Sequence, residues 1–230
     1  MRVETFDYSR RIVHYLLLNS AFENNVSLFS GQMGIALSLS EYSRFMDNSI
    51  VLDFVEYSLD CIIEKIERKM NYSFSDGLSG IGWGMEYLIQ NNFVEGESVE
   101  VCEEIDQKIM EYNLCRISDL SLDTGLEGLL HYVIYHLQGS MMQGSHSPFD
   151  ENYLLDLYNV CRILISRENT MSLTALLEIY THFYVTRKIE NYNMKIIDFV
   201  KLSPGCLPDD ISSYALGLKE GLAGMLLTTI

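Results

Sequence analysis

The chain has 230 residues, 48% of them hydrophobic, and sets 16 Lys and Arg against 32 Asp and Glu for a formal net charge of −16. That length buries a sizeable core, and so acidic a surface speaks against nucleic acid or a membrane as partner while suiting a basic segment of another protein. Three prolines leave little room for proline-rich linkers. Five cysteines (Cys61, Cys102, Cys115, Cys161 and Cys206), with no Cys-x-x-Cys pair, read as reduced thiols of a cytoplasmic protein.

In chain order, Arg10 and Arg11 precede a short apolar run, Ile12 to Leu18, that includes His14 and predicts an amphipathic first helix rather than a signal peptide. No stretch is long and apolar enough to span a membrane. Asn48 to Met70 carries Val51, Val55, Leu59, Ile62 and Ile66 on one stripe and acids on the other, an amphipathic helix with one wet face. Gly77 to Gln90 is apolar nearly all round and is expected to be buried on more than one side. The alternation recurs. Glu97–Tyr112 is amphipathic and Gly125–Leu137 apolar. Glu151–Ser166 is amphipathic and Ser172–Val185 mostly apolar. Lys188–Lys201 and Lys219–Leu227 are expected to form the last such pair. Gln138 to Pro148, with His146, is the longest non-periodic stretch and is read as a connecting rim loop.

The apolar helices open on a repeat. Ser30-Gly-Gln-Met-Gly, Asp76-Gly-Leu-Ser-Gly, Thr124-Gly-Leu-Glu-Gly and Glu220-Gly-Leu-Ala-Gly align, and their first glycines, Gly31, Gly77, Gly125 and Gly221, are 46, 48 and 96 residues apart. The doubled interval predicts a degenerate copy, which Ser172 and Ala175 supply, giving spacings of 46, 48, 47 and 49. The structural repeat positions are therefore Gly31 and Gly34, Gly77 and Gly80, Gly125 and Gly128, Ser172 and Ala175, and Gly221 and Gly224. Small residues one turn apart make a flat patch that a neighbouring helix or loop can approach, and Ser30, Asp76 and Thr124 are expected to cap these helices. The fold class is all-α: a single domain, residues 1–230, of about five helical hairpins. Because the inner helices are apolar almost all round, closure into an α/α toroid-like array is favoured over an open solenoid.

Serial Gly-Leu-x-Gly motifs opening inner helices at nearly fifty-residue spacing resemble those of the lanthionine synthetase C-like family, the lanthipeptide cyclases. The resemblance implies an α/α toroid. In the family's enzymes it also implies a zinc ion that is held by two cysteines and a histidine, in Trp-Cys-x-Gly and Cys-His-Gly motifs, and that activates a substrate thiol. This chain departs from that pattern. Trp83 is followed by Gly84, there is no Cys-His pair, and the residues before the repeat positions are Ser30, Asp76, Thr124, Met171 and Glu220. The family's enzymes have seven hairpins against about five here. What carries over is the fold and the glycines, so no cofactor is expected. Zinc's usual ligand motifs are absent, and Cys206, in the loop Ser203–Pro208, is the candidate metal ligand.

Glu127 and His131 are four apart and share a helix face, where an acid and a base could meet. His131 and His136, five apart, point in different directions and make no metal pair. The sixth position after each first small residue holds Leu37, Trp83, His131, Glu178 and Leu227. Trp83, His131 and Glu178 thus form a partly polar layer, a ligand-binding candidate or a buried polar network. Catalytic candidates are Glu127, His131, Glu178 and Asp76, with Asp123 a further acid. The reading that follows is a protein linked to peptide modification that binds a peptide or a peptide-modifying enzyme as an accessory. The alternative is an active enzyme, either an atypical zinc-dependent thioether cyclase or a carboxylate-based hydrolase.

Overall fold

The structure is a computed structural model that describes residues 2–66, 70–202 and 210–230, with side chains from residue 7 onward. Among these residues the helices are α1 (Arg2–Asn19), α2 (Gln32–Met46), α3 (Ser49–Glu64), α4 (Leu78–Gln90), α5 (Ser98–Val101), α6 (Glu103–Met110), α7 (Leu126–Gln143), α8 (Glu151–Leu164), α9 (Met171–Thr186) and α10 (Leu222–Thr229). The chain divides into two compact units, one formed by Met1–Glu67 with Met194–Ile230 and the other by Arg68–Asn193.

In the first unit α2 packs against α3 and α10, and α10 against α1. Val51, Val55, Leu59 and Ile62 of α3 are buried, as the stripe predicts, while Asp53, Glu56 and Asp60 face water. Each buried side chain of this kind contributes roughly 1.5–3 kcal/mol. In the second unit α7 packs against α4 and α9, and α8 against α9. Every residue of α4 from Leu78 to Ile89 is buried, which accounts for an apolar surface on all sides.

The inner helices start in a way the motif only partly discloses. Gly31, Gly77, Gly125 and Gly221 are themselves the N-caps, and none of these helices has a side-chain cap. This corrects the assignment of Ser30, Asp76 and Thr124 as caps. The preceding loop folds back instead, so that the first helical N–H donates to the carbonyl seven residues earlier: Gln32 to Asn25, Leu78 to Asn71, Leu126 to Asp119 and Leu222 to Ala215, at 2.8–3.0 Å. A Cβ on the first glycine would collide with the carbonyl oxygen six residues before it, at Asn25, Asn71, Asp119 and Ala215. The second glycine meets the same demand: a Cβ on Gly34, Gly128 or Gly224 would strike the carbonyl of Leu28, Leu122 or Leu218. Glycine is required here by the close approach of backbone, not by dihedral freedom.

Neighbouring loops interlock by one rule in both units. In the second unit Phe74 and Ser75 donate to the Asp123 carbonyl at 3.0 and 2.9 Å, and a Cβ on Gly128 would meet Phe74 Cβ. In the first, Leu218 and Lys219 donate to the Phe29 carbonyl at 2.8 and 3.1 Å, and a Cβ on Gly34 would meet Leu218 Cβ at 2.7 Å. The last inner helix therefore docks on the first as α4 docks on α7.

Several sequence expectations need correction. α9 starts at Met171 behind Thr170, whose side chain caps Leu173 N, and Ser172 and Ala175 are exposed. The degenerate copy marks a helix start, two residues out of register and without the folded-back loop. The expected outer helix Lys188–Lys201 reduces to one 3-10 turn, Ile196–Phe199, after left-handed residues at Arg187 and Asn191. Gln138–Gln143 continues α7, so the connector is confined to the residues between Gly144, the left-handed C-cap of that helix, and Asp150, the N-cap of α8. The acidic helix after Glu97 breaks at Cys102 into α5 and α6. No helix among the described residues is long and apolar enough to cross a membrane.

Candidate functional site

Two polar constellations lie in the second unit, both built on α4 and α7. The first contains two members of the predicted layer. Trp83 Nε1 donates to the Tyr192 hydroxyl at 3.0 Å, and that hydroxyl lies 3.0 Å from His131 Nδ1 and 3.2 Å from the His131 carbonyl. Trp83 is fully buried and His131 is 3% exposed, and the rings of Phe74 and Tyr192 lie 5.7 and 5.9 Å from the imidazole. Burial pulls the His131 pKa down to about 4, so the ring is neutral near pH 7. Burial likewise pushes the Tyr192 phenol far up. The constellation is a neutral, tightly held node.

The other candidates do not converge on it. Glu178 is exposed on α9 and drops out of the layer. Asp76 is exposed in the loop before α4, where its carboxylate accepts from Ser75 Oγ at 2.8 Å. Glu127 is buried in the first turn of α7, one turn before His131, whose Nδ1 faces Tyr192 instead. Cys206 lies outside the described residues. Tyr192, which joins Trp83 to His131, was missed because it falls in irregular chain where no periodicity marks it.

The second constellation was missed entirely. Glu86 of α4, Asp106 of α6, and Tyr132 and His136 of α7 are 0–2% exposed. His136 Nδ1 contacts Glu86 Oε1, and its Nε2 lies 2.8 Å from Asp106 Oδ2. Tyr132 donates to Asp106 Oδ1 at 2.6 Å, and Gln90 Nε2 donates to Glu86 Oε2 at 2.8 Å and to the Tyr135 carbonyl at 2.9 Å. Burial alone would lower the pKa of His136, but its hydrogen bonds and charge pairing with Asp106 and Glu86 outweigh that and bring it to about 9. Burial raises the Asp106 carboxyl against the hydrogen bonds of His136 and Tyr132. Glycines make the room: a Cβ on Gly139 would strike the Glu86 carboxylate, and one on Gly82 the Tyr132 ring. Cys102, at the break between α5 and α6, is also fully buried. It joins Glu86 and His136 in placing one ligand atom each within 4.8 Å of the other two. Part of the sequence signal was present, since Glu86 is the lone charged residue of an otherwise apolar α4.

Asp106 also reaches the floor of a cleft of about 290 Å³ lined by Glu100, Glu103, Met110, His146 and Pro148. The short connector with His146 and Pro148 is one wall of this cleft. Gln143 ties α7 to the start of α5, accepting from Ser98 N at 2.9 Å and donating to the Gly96 carbonyl at 2.9 Å.

The zinc that the family resemblance implies does not fit at the heads of the inner helices. Ser30 Oγ bonds Asn25 at 3.0 Å, Asp76 accepts from Ser75, and Thr124 Oγ1 donates to Asp119 at 2.5 Å, so these side chains brace their own loops. None offers the soft thiolate or imidazole donors of that site. The curated proteins yield no match to this chain. The family model described as lanthionine synthetase C-like protein matches residues 8–144. That span is more than half of the sequence and takes in the first three glycine motifs with their inner helices α2, α4 and α7. With its helical hairpins in the expected all-α, toroid-like fold class, the chain belongs to the lanthionine synthetase C-like family.

Proposed function

We propose that this chain is a peptide-binding accessory member of its family, acting in the cytoplasm beside a peptide-modifying enzyme instead of forming thioethers itself. The observation that carries the reading is the cleft beside α6. Its lining combines acidic Glu100 and Glu103 with apolar Met110 and Pro148, the chemistry that accepts an extended basic peptide with interspersed apolar side chains. The formal charge of −16 adds long-range attraction for such a peptide. The neutral, enclosed His131 and the separately exposed Asp76 and Glu178 support a binding role over acid–base catalysis.

The test is fluorescence anisotropy with a labelled lysine-rich peptide. Binding is expected to weaken with added salt, and the double variant Glu100→Lys/Glu103→Lys is expected to weaken it about tenfold at low salt. Equal binding by the variant refutes the cleft as the site. Loss of free thiol when the chain alone is incubated with a dehydrated, cysteine-containing peptide refutes the accessory role in favour of an active cyclase.

A further inference from the structure

We propose that Glu86, Cys102 and His136 form a divalent metal site, suited to zinc, in the interior of the second unit and apart from the heads of the inner helices. Three side chains from three different elements, α4, the α5–α6 break and α7, bring one carboxylate oxygen, one sulfur and one imidazole nitrogen within 4.8 Å of one another. A mixed oxygen, nitrogen and sulfur donor set suits zinc rather than the all-oxygen shells of calcium or magnesium.

The surroundings orient each donor. His136 Nε2 lies 2.8 Å from Asp106 Oδ2, which leaves Nδ1 facing Glu86. Asp106 is fixed in turn by the Tyr132 hydroxyl at 2.6 Å, giving the carboxylate–imidazole pairing that orients metal-bound histidines. Gln90 holds the second oxygen of Glu86 and leaves Oε1 for the metal.

The site is enclosed as well: Glu86, His136 and Asp106 crowd two carboxyl groups around one imidazole among side chains no more than 3% exposed. A divalent ion replaces the proton on His136 Nδ1 and the thiol proton of Cys102, both of which pass to solvent. The Glu86 carboxylate and the Cys102 thiolate then supply the ion with two negative ligands, since a coordinating thiol is deprotonated outright. Asp106, which holds His136, also lines the neighbouring cleft. The site does not depend on the peptide-binding reading.

The experiment loads the chelator-treated full chain with zinc or with cobalt(II) alone. The expected result is about one ion per chain, a thiolate-to-cobalt charge-transfer band in the near ultraviolet, and a rise in the thermal midpoint with zinc. Cys102→Ser removes the band and Cys161→Ser, a buried thiol elsewhere, keeps it. Asp106→Asn lowers zinc affinity by about 10- to 100-fold. Wild-type protein that stays folded yet takes up no ion overturns the proposal, and so does a charge-transfer band that survives in Cys102→Ser. Because the wild-type measurement decides by itself, a variant that fails to fold does not shelter the idea.

Discussion

Lowering the pH should single out His131. In the unfolded chain its imidazole has the ordinary pKa of 6.5, and in the folded protein burial holds it at about 4. A depressed folded-state pKa means that the contribution to stability is complete above pH 6.5 and is lost as pH falls through 4, because the unfolded chain takes up the proton first. The gap corresponds to roughly 3 kcal/mol. Most of it belongs to desolvation, since the ring is 3% exposed and enclosed by Phe74, Trp83 and Tyr192. The measurement is urea unfolding followed by circular dichroism at pH values from about 7.5 down to about 4, on wild type and on His131→Gln, whose amide does not titrate. Both proteins share every other acid-sensitive group, so the difference between their pH profiles isolates the histidine. Wild type should lose about 3 kcal/mol more than the variant across this range. Parallel profiles would refute the assignment of a buried neutral imidazole, whatever the absolute stability of the variant.

Gly34→Ala and Gly128→Ala each drive a Cβ into a backbone carbonyl and a neighbouring loop. Each should cost about 3 kcal/mol or more in urea unfolding, whereas Ser172→Ala, exposed on α9, should change stability by less than about 0.5 kcal/mol. Tyr192→Phe takes one hydrogen-bond partner from both Trp83 Nε1 and His131 Nδ1. It should lower stability by about 1–3 kcal/mol and alter the tryptophan emission of the single Trp83, and an unchanged emission spectrum would count against the contact.

Residue types betray a structural need when only one of them can meet it. The starts of four inner helices were legible because a folded-back carbonyl leaves no space for a Cβ, so glycine recurs at fixed spacing. A second mark of the same loops stood in the sequence unread. Asn25, Asn71 and Asp119, six residues before the first glycine, each accept from the backbone N–H two residues on, of Ser27, Ser73 and Ser121. The α9 start shows the limit of the reasoning. Ser172 satisfies a small-residue rule, but Thr170 supplies a side-chain cap, and a capped helix does not need the folded-back loop that the glycines serve. Small size was necessary for the motif and not sufficient for it.

The polar interior was less legible for a different reason. Repeat register compares equivalent depths on inner helices, and it grouped Trp83 with His131, two residues that share the Tyr192 hydroxyl. Glu86 and His136, however, lie nine and eleven residues after their first glycines, and Asp106 and Cys102 belong to the outer layer. No repeat rule relates an outer helix to the inner helix on which it packs. Asp106 meets His136 from α6, the helix that starts after the break at Cys102. A lone Glu in buried α4 and the histidines of buried α7 are nonetheless a joint signal. Burying either alone costs several kcal/mol, so each implies a partner, and the nearest one chemically able to satisfy an acid in a buried helix is a base in the next. Pairing on that ground narrows the partner of Glu86 to His131 or His136, and the structure selects His136 and adds Asp106 and Cys102.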